Sequence, residues 1–141
     1  MYYLKTSASF DSAHFLSGYD GKCRNIHGHR WVIEVRIKGQ ELQQSGTEKG
    51  MLTDFGNLKK RVRELAENFD HALIYETDSL KPATVRAFEE EDFRLIEVGF
   101  RPTAENFAKY FYDLLSGYGF ELSDVTVYET PDNCAVYTEG E

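Results

Sequence analysis

Apolar and polar positions alternate over residues 29–38, "HRWVIEVRIK". Trp31, Ile33, Val35 and Ile37 share one face, and Glu34, Arg36 and Lys38 share the other. Period two with one apolar side predicts a half-buried antiparallel strand. Residues 2–10, "YYLKTSASF", also suit a strand, which leads into "DSAHF". The period then changes. In "TDFGNLKKRVRELAENF" (53–69), Phe55, Leu58, Val62, Leu65 and Phe69 fall on one helical stripe, with Thr53 or Asp54 as the cap. A second helix is predicted in "RPTAENFAKYFYDLLSGYG" (101–119). There Thr103 is the cap, Phe107, Tyr110, Phe111 and Leu114 form the stripe, and Gly117 and Gly119 end it. Between the helices, residues 78–92 are polar and acidic and read as a solvated excursion, followed by a short strand in "FRLIEVGF" (93–100). "SDVTVYET" (123–130) and "CAVYTEG" (134–140) read as two strands joined through "PDN".

This order predicts an α+β fold, a four-stranded antiparallel sheet with two helices on one face. Four strands leave exposed edges, so association of copies through those edges is expected. A length of 141 residues fits a single domain, 1–141, with one sizeable core. The formal charge of −8 argues against a non-specific nucleic-acid binder. No apolar run is long enough to span a membrane, and the start "MYYLKTSASFDSAHF" lacks the pattern of a signal peptide. Two cysteines, Cys23 and Cys134, make no disulfide framework. A reduced, soluble, cytoplasmic protein is expected.

The four histidines change this picture, because three gather around one predicted hairpin end. His27 and His29 lie two apart at a strand start and project to one face, with Gly28 between them. His14 follows the first strand. If the two strands pair antiparallel, all three imidazoles meet, and three neutral imidazoles suit Zn²⁺ with a fourth position open. Simple packing also accounts for a histidine between Ala13 and Phe15. Cys23, four residues before His27, fits a fourth zinc ligand in a closed Cys-His₃ structural site. It also fits a reactive thiol near the metal or an inert thiol, the last being the weakest in so polar a segment. Cys134 reads as ordinary strand packing.

Asp70 and His71 adjoin at a helix end. The pair fits a helix-end charge interaction, or an aspartate orienting an imidazole for acid–base work. Glu105 lies in the first turn of the second helix, where the dipole favours a carboxylate. Glu129 ends a strand before a turn and fits an exposed strand-end charge, or a carboxylate that accepts two parallel N–H bonds from an amidine-like edge.

With "FDSAHFL" (10–16), "C-x-x-x-H-G-H" (23–29), "GMLTDF" (50–55), "FDH" (69–71), "PTAEN" (102–106) and "VYET" (127–130) in view, the sequence resembles the 6-pyruvoyltetrahydropterin synthase and 6-carboxytetrahydropterin synthase family nearly end to end. The resemblance implies a tunnelling fold whose subunits join edge to edge into a β-barrel trimer, two trimers making a homohexamer. It implies zinc on His14, His27 and His29, and Cys23 as the proton-handling thiol. Asp70 and His71 would be a second acid–base unit reaching the site of a neighbouring subunit, with Glu129 and Glu105 on the pterin. The implied activity is a zinc-dependent lyase acting on 7,8-dihydroneopterin triphosphate. One branch of the family eliminates triphosphate and keeps a pyruvoyl side chain, towards tetrahydrobiopterin. The other also releases acetaldehyde and leaves 6-carboxytetrahydropterin for 7-deazaguanine and queuosine synthesis. A short chain suits the second branch by analogy. The rival from another class is a non-catalytic protein with a structural Cys-His₃ zinc.

Overall fold

The alternating stretches form the longest elements of the computed structural model, which describes residues 1–140. Strand β1 (Tyr2–His14) pairs antiparallel with β2 (His27–Gly39) along its whole length, from Tyr2 opposite Gly39 to His14 opposite His27. The first strand therefore runs four residues beyond its predicted end and carries His14 within it. Strand β5 (Leu122–Thr130) pairs antiparallel with β2, and β6 (Asn133–Tyr137) with β5. These four strands match the expected antiparallel set.

The sheet nevertheless has six strands, in the order β4-β3-β1-β2-β5-β6. The four-stranded expectation is corrected by β3 (Leu73–Glu76), which pairs parallel to β1, and by β4 (Leu95–Val98), the short strand expected in 93–100, which pairs parallel to β3 on the sheet edge. Strand β3 escapes detection because "LIYE" is too short and too continuously buried to show a period. The expectation of two helices is corrected to three. Between α1 (Phe55–Phe69) and α3 (Ala104–Ser116), the acidic stretch read as a solvated excursion contains α2 (Pro82–Glu90). Its proline at the first turn, where a missing N–H costs nothing, is the start signal. No residue of α2 is fully buried.

Asp54 caps α1, accepting from Gly56 N, and Thr103 caps α3, accepting from Asn106 N. Leu58, Val62, Leu65 and Phe69 of α1 and Phe107, Phe111 and Leu115 of α3 are buried with Phe10, Trp31, Ile33 and Val35 of the sheet. Two stripe positions differ from expectation: Phe55 and Leu114 are exposed, and Leu115 takes the inward place. Cys134 is exposed on β6, the edge strand, so it is not a packing residue. Trp31, stacked on Phe10 with ring centroids 5.9 Å apart, forms the floor on which His14 and His29 stand.

Candidate active site

Antiparallel register assembles the histidines. His14 lies opposite His27, and Ser12 lies opposite His29, so His14 is the direct neighbour of one and the diagonal neighbour of the other. Both β2 histidines point to the face that carries Trp31, as the i, i+2 spacing requires. One ligand atom from each of His14, His27 and His29 lies within 4.8 Å of the others. Among the described residues these three form the group suited to a metal, and the sulfur of Cys23 is not part of it. Cys23 is half-buried on a single 3-10 turn, Lys22–Arg24, in the loop joining β1 to β2. That loop is closed by Leu16 N donating to Cys23 O at 2.9 Å. It is tied to the segment before α3 by Arg101 Nη2 donating to Ser17 O at 2.9 Å.

Hydrogen bonding sets the ring orientations. His14 Nδ1 lies 2.7 Å from the Pro102 carbonyl, and His27 Nδ1 lies 2.7 Å from the Asn25 carbonyl. A carbonyl only accepts, so both rings donate from Nδ1, and in the neutral form each turns an Nε2 lone pair inward. Those two Nε2 atoms are 3.1 Å apart. Two lone pairs at that distance repel unless a cation lies between them. The third ring agrees with this. His29 Nε2 is buried with no hydrogen-bond partner, although Glu129 Oε1 comes to 3.3 Å. Burial, reinforced by the other two imidazoles and opposed by the Pro102 carbonyl, lowers the His14 pKa to about 4. Burial also lowers that of His29, against the pull of Glu129. Three imidazoles with one ring nitrogen each drawn to a common point are what a divalent ion needs, so the residues fit Zn²⁺.

Two cavities adjoin the group, and His29 lines both. One, of about 530 Å³, is bounded by Gly28, Arg30, Tyr128 and Glu129. The other, of about 720 Å³, is bounded by Asp11, Arg30, His71, Phe88, Phe93 and Arg94. Both are of ligand size. The chain thus brings Glu129 beside the histidine cluster and places His71 on a cavity shared with His29. Glu105 is exposed in the first turn of α3 and lines neither cavity.

His71 lies just past α1, with φ at 52° and its side chain largely exposed. Its Nδ1 is 2.7 Å from Asp70 Oδ2, and Asp70 Oδ1 accepts from Asp11 N at 2.8 Å. The Asp11 amide, and then the imidazole, hold the Asp70 carboxyl below its usual range. An ionised Asp70 can therefore orient His71. Sequence reasoning missed the carbonyls of Asn25 and Pro102, whose role belongs to the main chain. The position of Pro102 just before the capped helix is the one signal that its carbonyl is held in place.

The family model for 6-pyruvoyl tetrahydropterin synthase matches residues 3–140. The chain belongs to this family. A 6-carboxy-5,6,7,8-tetrahydropterin synthase of Haemophilus influenzae is 34% identical, covering 99% of this chain and all of that protein. The protein of the same name from Rickettsia felis is 36% identical over 90% of this chain and 92% of its own. Among solved structures, an uncharacterized protein of Wolinella succinogenes superposes with a TM-score of 0.82 at 23% identity, over 99% of this chain and 98% of that one. The 6-pyruvoyl tetrahydropterin synthase of Caenorhabditis elegans gives 0.68 at 26% identity, over 99% and 96%. The family's α+β architecture is thus shared from end to end.

Proposed function

We propose that this protein is a zinc-dependent 6-carboxy-5,6,7,8-tetrahydropterin synthase. It converts 7,8-dihydroneopterin triphosphate to 6-carboxytetrahydropterin, acetaldehyde and triphosphate, a step towards 7-deazaguanines and queuosine. The full-length likeness to synthases of that name supports the substrate and the branch. The observation that carries the metal-dependent reading is the pair of bare Nε2 atoms 3.1 Å apart on His14 and His27.

In this reading His14, His27 and His29 hold zinc, which supplies Lewis-acid polarisation of the substrate's side-chain hydroxyls. The chain's own residues do the rest. Glu129 accepts the amino and ring N–H groups of the pterin, a bidentate match that fixes the ring plane, and Glu105 belongs to the same pocket by resemblance. Cys23 takes a proton from one side of the side chain. His71, oriented by Asp70, moves one on the other. The exposure of His71 suits a group that reaches the site of a neighbouring copy. The assembly in this reading is a dimer of trimers, joined through the sheet edges that β4 and β6 leave open.

The test is to incubate zinc-loaded protein with dihydroneopterin triphosphate and identify the products by mass spectrometry. Carboxypterin with acetaldehyde is expected. A pyruvoyl product without acetaldehyde would assign the sister reaction, and no turnover would overturn the proposal.

A further inference from the structure

The Asp70–His71 turn carries an unusual load. His71 is a non-glycine residue at a left-handed φ of 52°, a conformation that side chains with a Cβ rarely adopt. It also follows a helix whose last carbonyls have no partner within the helix. On one side, β1 holds the turn: His71 N donates to Asp11 O at 2.6 Å, Asp11 N to Asp70 Oδ1 at 2.8 Å, and Ser12 Oγ to Phe69 O. On the other side stands one side chain, Arg94, at the residue before β4. Its guanidinium gathers the open end of α1. Nη2 donates to Asn68 O at 2.7 Å, and Nη1 donates to Asp70 O and reaches Glu67 O at 3.5 Å. Its own carbonyl accepts from Leu73 N at 3.0 Å, which locks β4 to the strand following the turn.

We infer that Arg94 is a positioning residue for the Asp70–His71 pair, and that the α2–β4 segment, with Phe88 and Phe93 walling the same cavity, presents it. The inference rests on the reading of Asp70–His71 as an acid–base unit. A guanidinium is suited to the task because its planar fork serves several carbonyls at once, whereas an ammonium is a point donor. The stretch that carries Arg94 has no other part in the reaction as derived above. Its acidic run, Glu89–Asp92, stays on the surface.

The experiment compares Arg94→Met and Arg94→Lys, alone and in the His71→Ala background, in the zinc-loaded full-length protein. Arg94→Met is expected to lower kcat about 10–100-fold, the range for a small misplacement of a reacting group, with KM and bound zinc unchanged. Arg94→Lys should recover part of the loss. In the His71→Ala background Arg94→Met should cost almost nothing further, because the group it positions is gone. An equal loss in both backgrounds, or no loss, would overturn the inference. A readout independent of turnover accompanies this. Imidazole ¹H–¹⁵N correlation spectra should show one fixed tautomer for His71 in the wild type, protonated on Nδ1, and tautomer exchange in Arg94→Met. An unchanged spectrum would also overturn the inference. If the wild type fails to turn over the pterin, the proposed function falls, and the spectra alone decide the role of Arg94.

Discussion

Cys23 and the three histidines separate at the level of single atoms. The imidazoles converge on one point from two paired strands, and the thiol rides on a loop outside that group. On the proposed function, Cys23→Ser is therefore expected to bind zinc as the wild type does and lose about 10²–10⁴ in turnover, measured by metal analysis and product formation side by side. Loss of zinc in that variant would instead mark the sulfur as a ligand. Acid should weaken the metal-free protein for a defined reason. The unfolded chain binds a proton on His14 near pH 6.5, while the folded chain resists until about pH 4. The unfolded state thus holds more protons in that window, and stability falls as pH drops from about 6.5 to 4. His14 contributes on the order of 3 kcal/mol to this loss, and His29 acts in the same direction. Urea denaturation with a chelator present, at several pH values, should show the slope, and His14→Ala should flatten it.

At the scale of elements, the helix α3 and the β1–β2 hairpin make the site between them. Thr103 caps the helix, and the residue before it supplies the carbonyl that orients His14. Thr103→Ala should cost about 1 kcal/mol of stability. It should also weaken zinc binding by roughly tenfold, at the low end for a disturbed outer partner of a ligand, as competition with a chromophoric chelator would reveal. The hairpin and helices α1 and α3 were legible in the sequence because they are long and each presents one apolar face. Thr103 is the cap expected for α3, and of the two candidates for α1, Thr53 and Asp54, it is Asp54 that caps. Strand β3 and helix α2 were not legible. One has four residues and no polar alternation, and the other buries no residue fully, with only Val85 and Phe88 as half-buried apolar positions, too few to show a stripe. The histidine cluster followed from spacing plus one assumption about pairing, which the register of β1 against β2 meets. The contact between Glu129 and His29 lay beyond reach, since it depends on β5 docking beside β2.

At the scale of the molecule, the chain keeps its rigid and its reactive parts on opposite terms with solvent. Trp31, Phe10, Phe107 and Phe111 are sealed beneath the imidazoles, whereas His71 stands in the open. No helix is long and apolar enough to cross a membrane among the described residues. Met1, Tyr2, Tyr3, Met51 and Phe55 are all exposed, and Tyr2, Tyr3, Met51 and Phe55 line a shared cavity of about 350 Å³. Light scattering on the purified protein is expected to give a mass several times the 16.2 kDa of one chain, with six copies as the proposed number. A monomer at working concentration would leave His71 without the neighbouring site assigned to it.

The carbonyls that steer His14 and His27 belong to Pro102 and Asn25, and every amino acid brings a carbonyl. Replacing those side chains one by one would thus leave the steering atoms in place. An alanine scan would pass over this ring of the centre in silence, registering it only where a substitution bends the backbone.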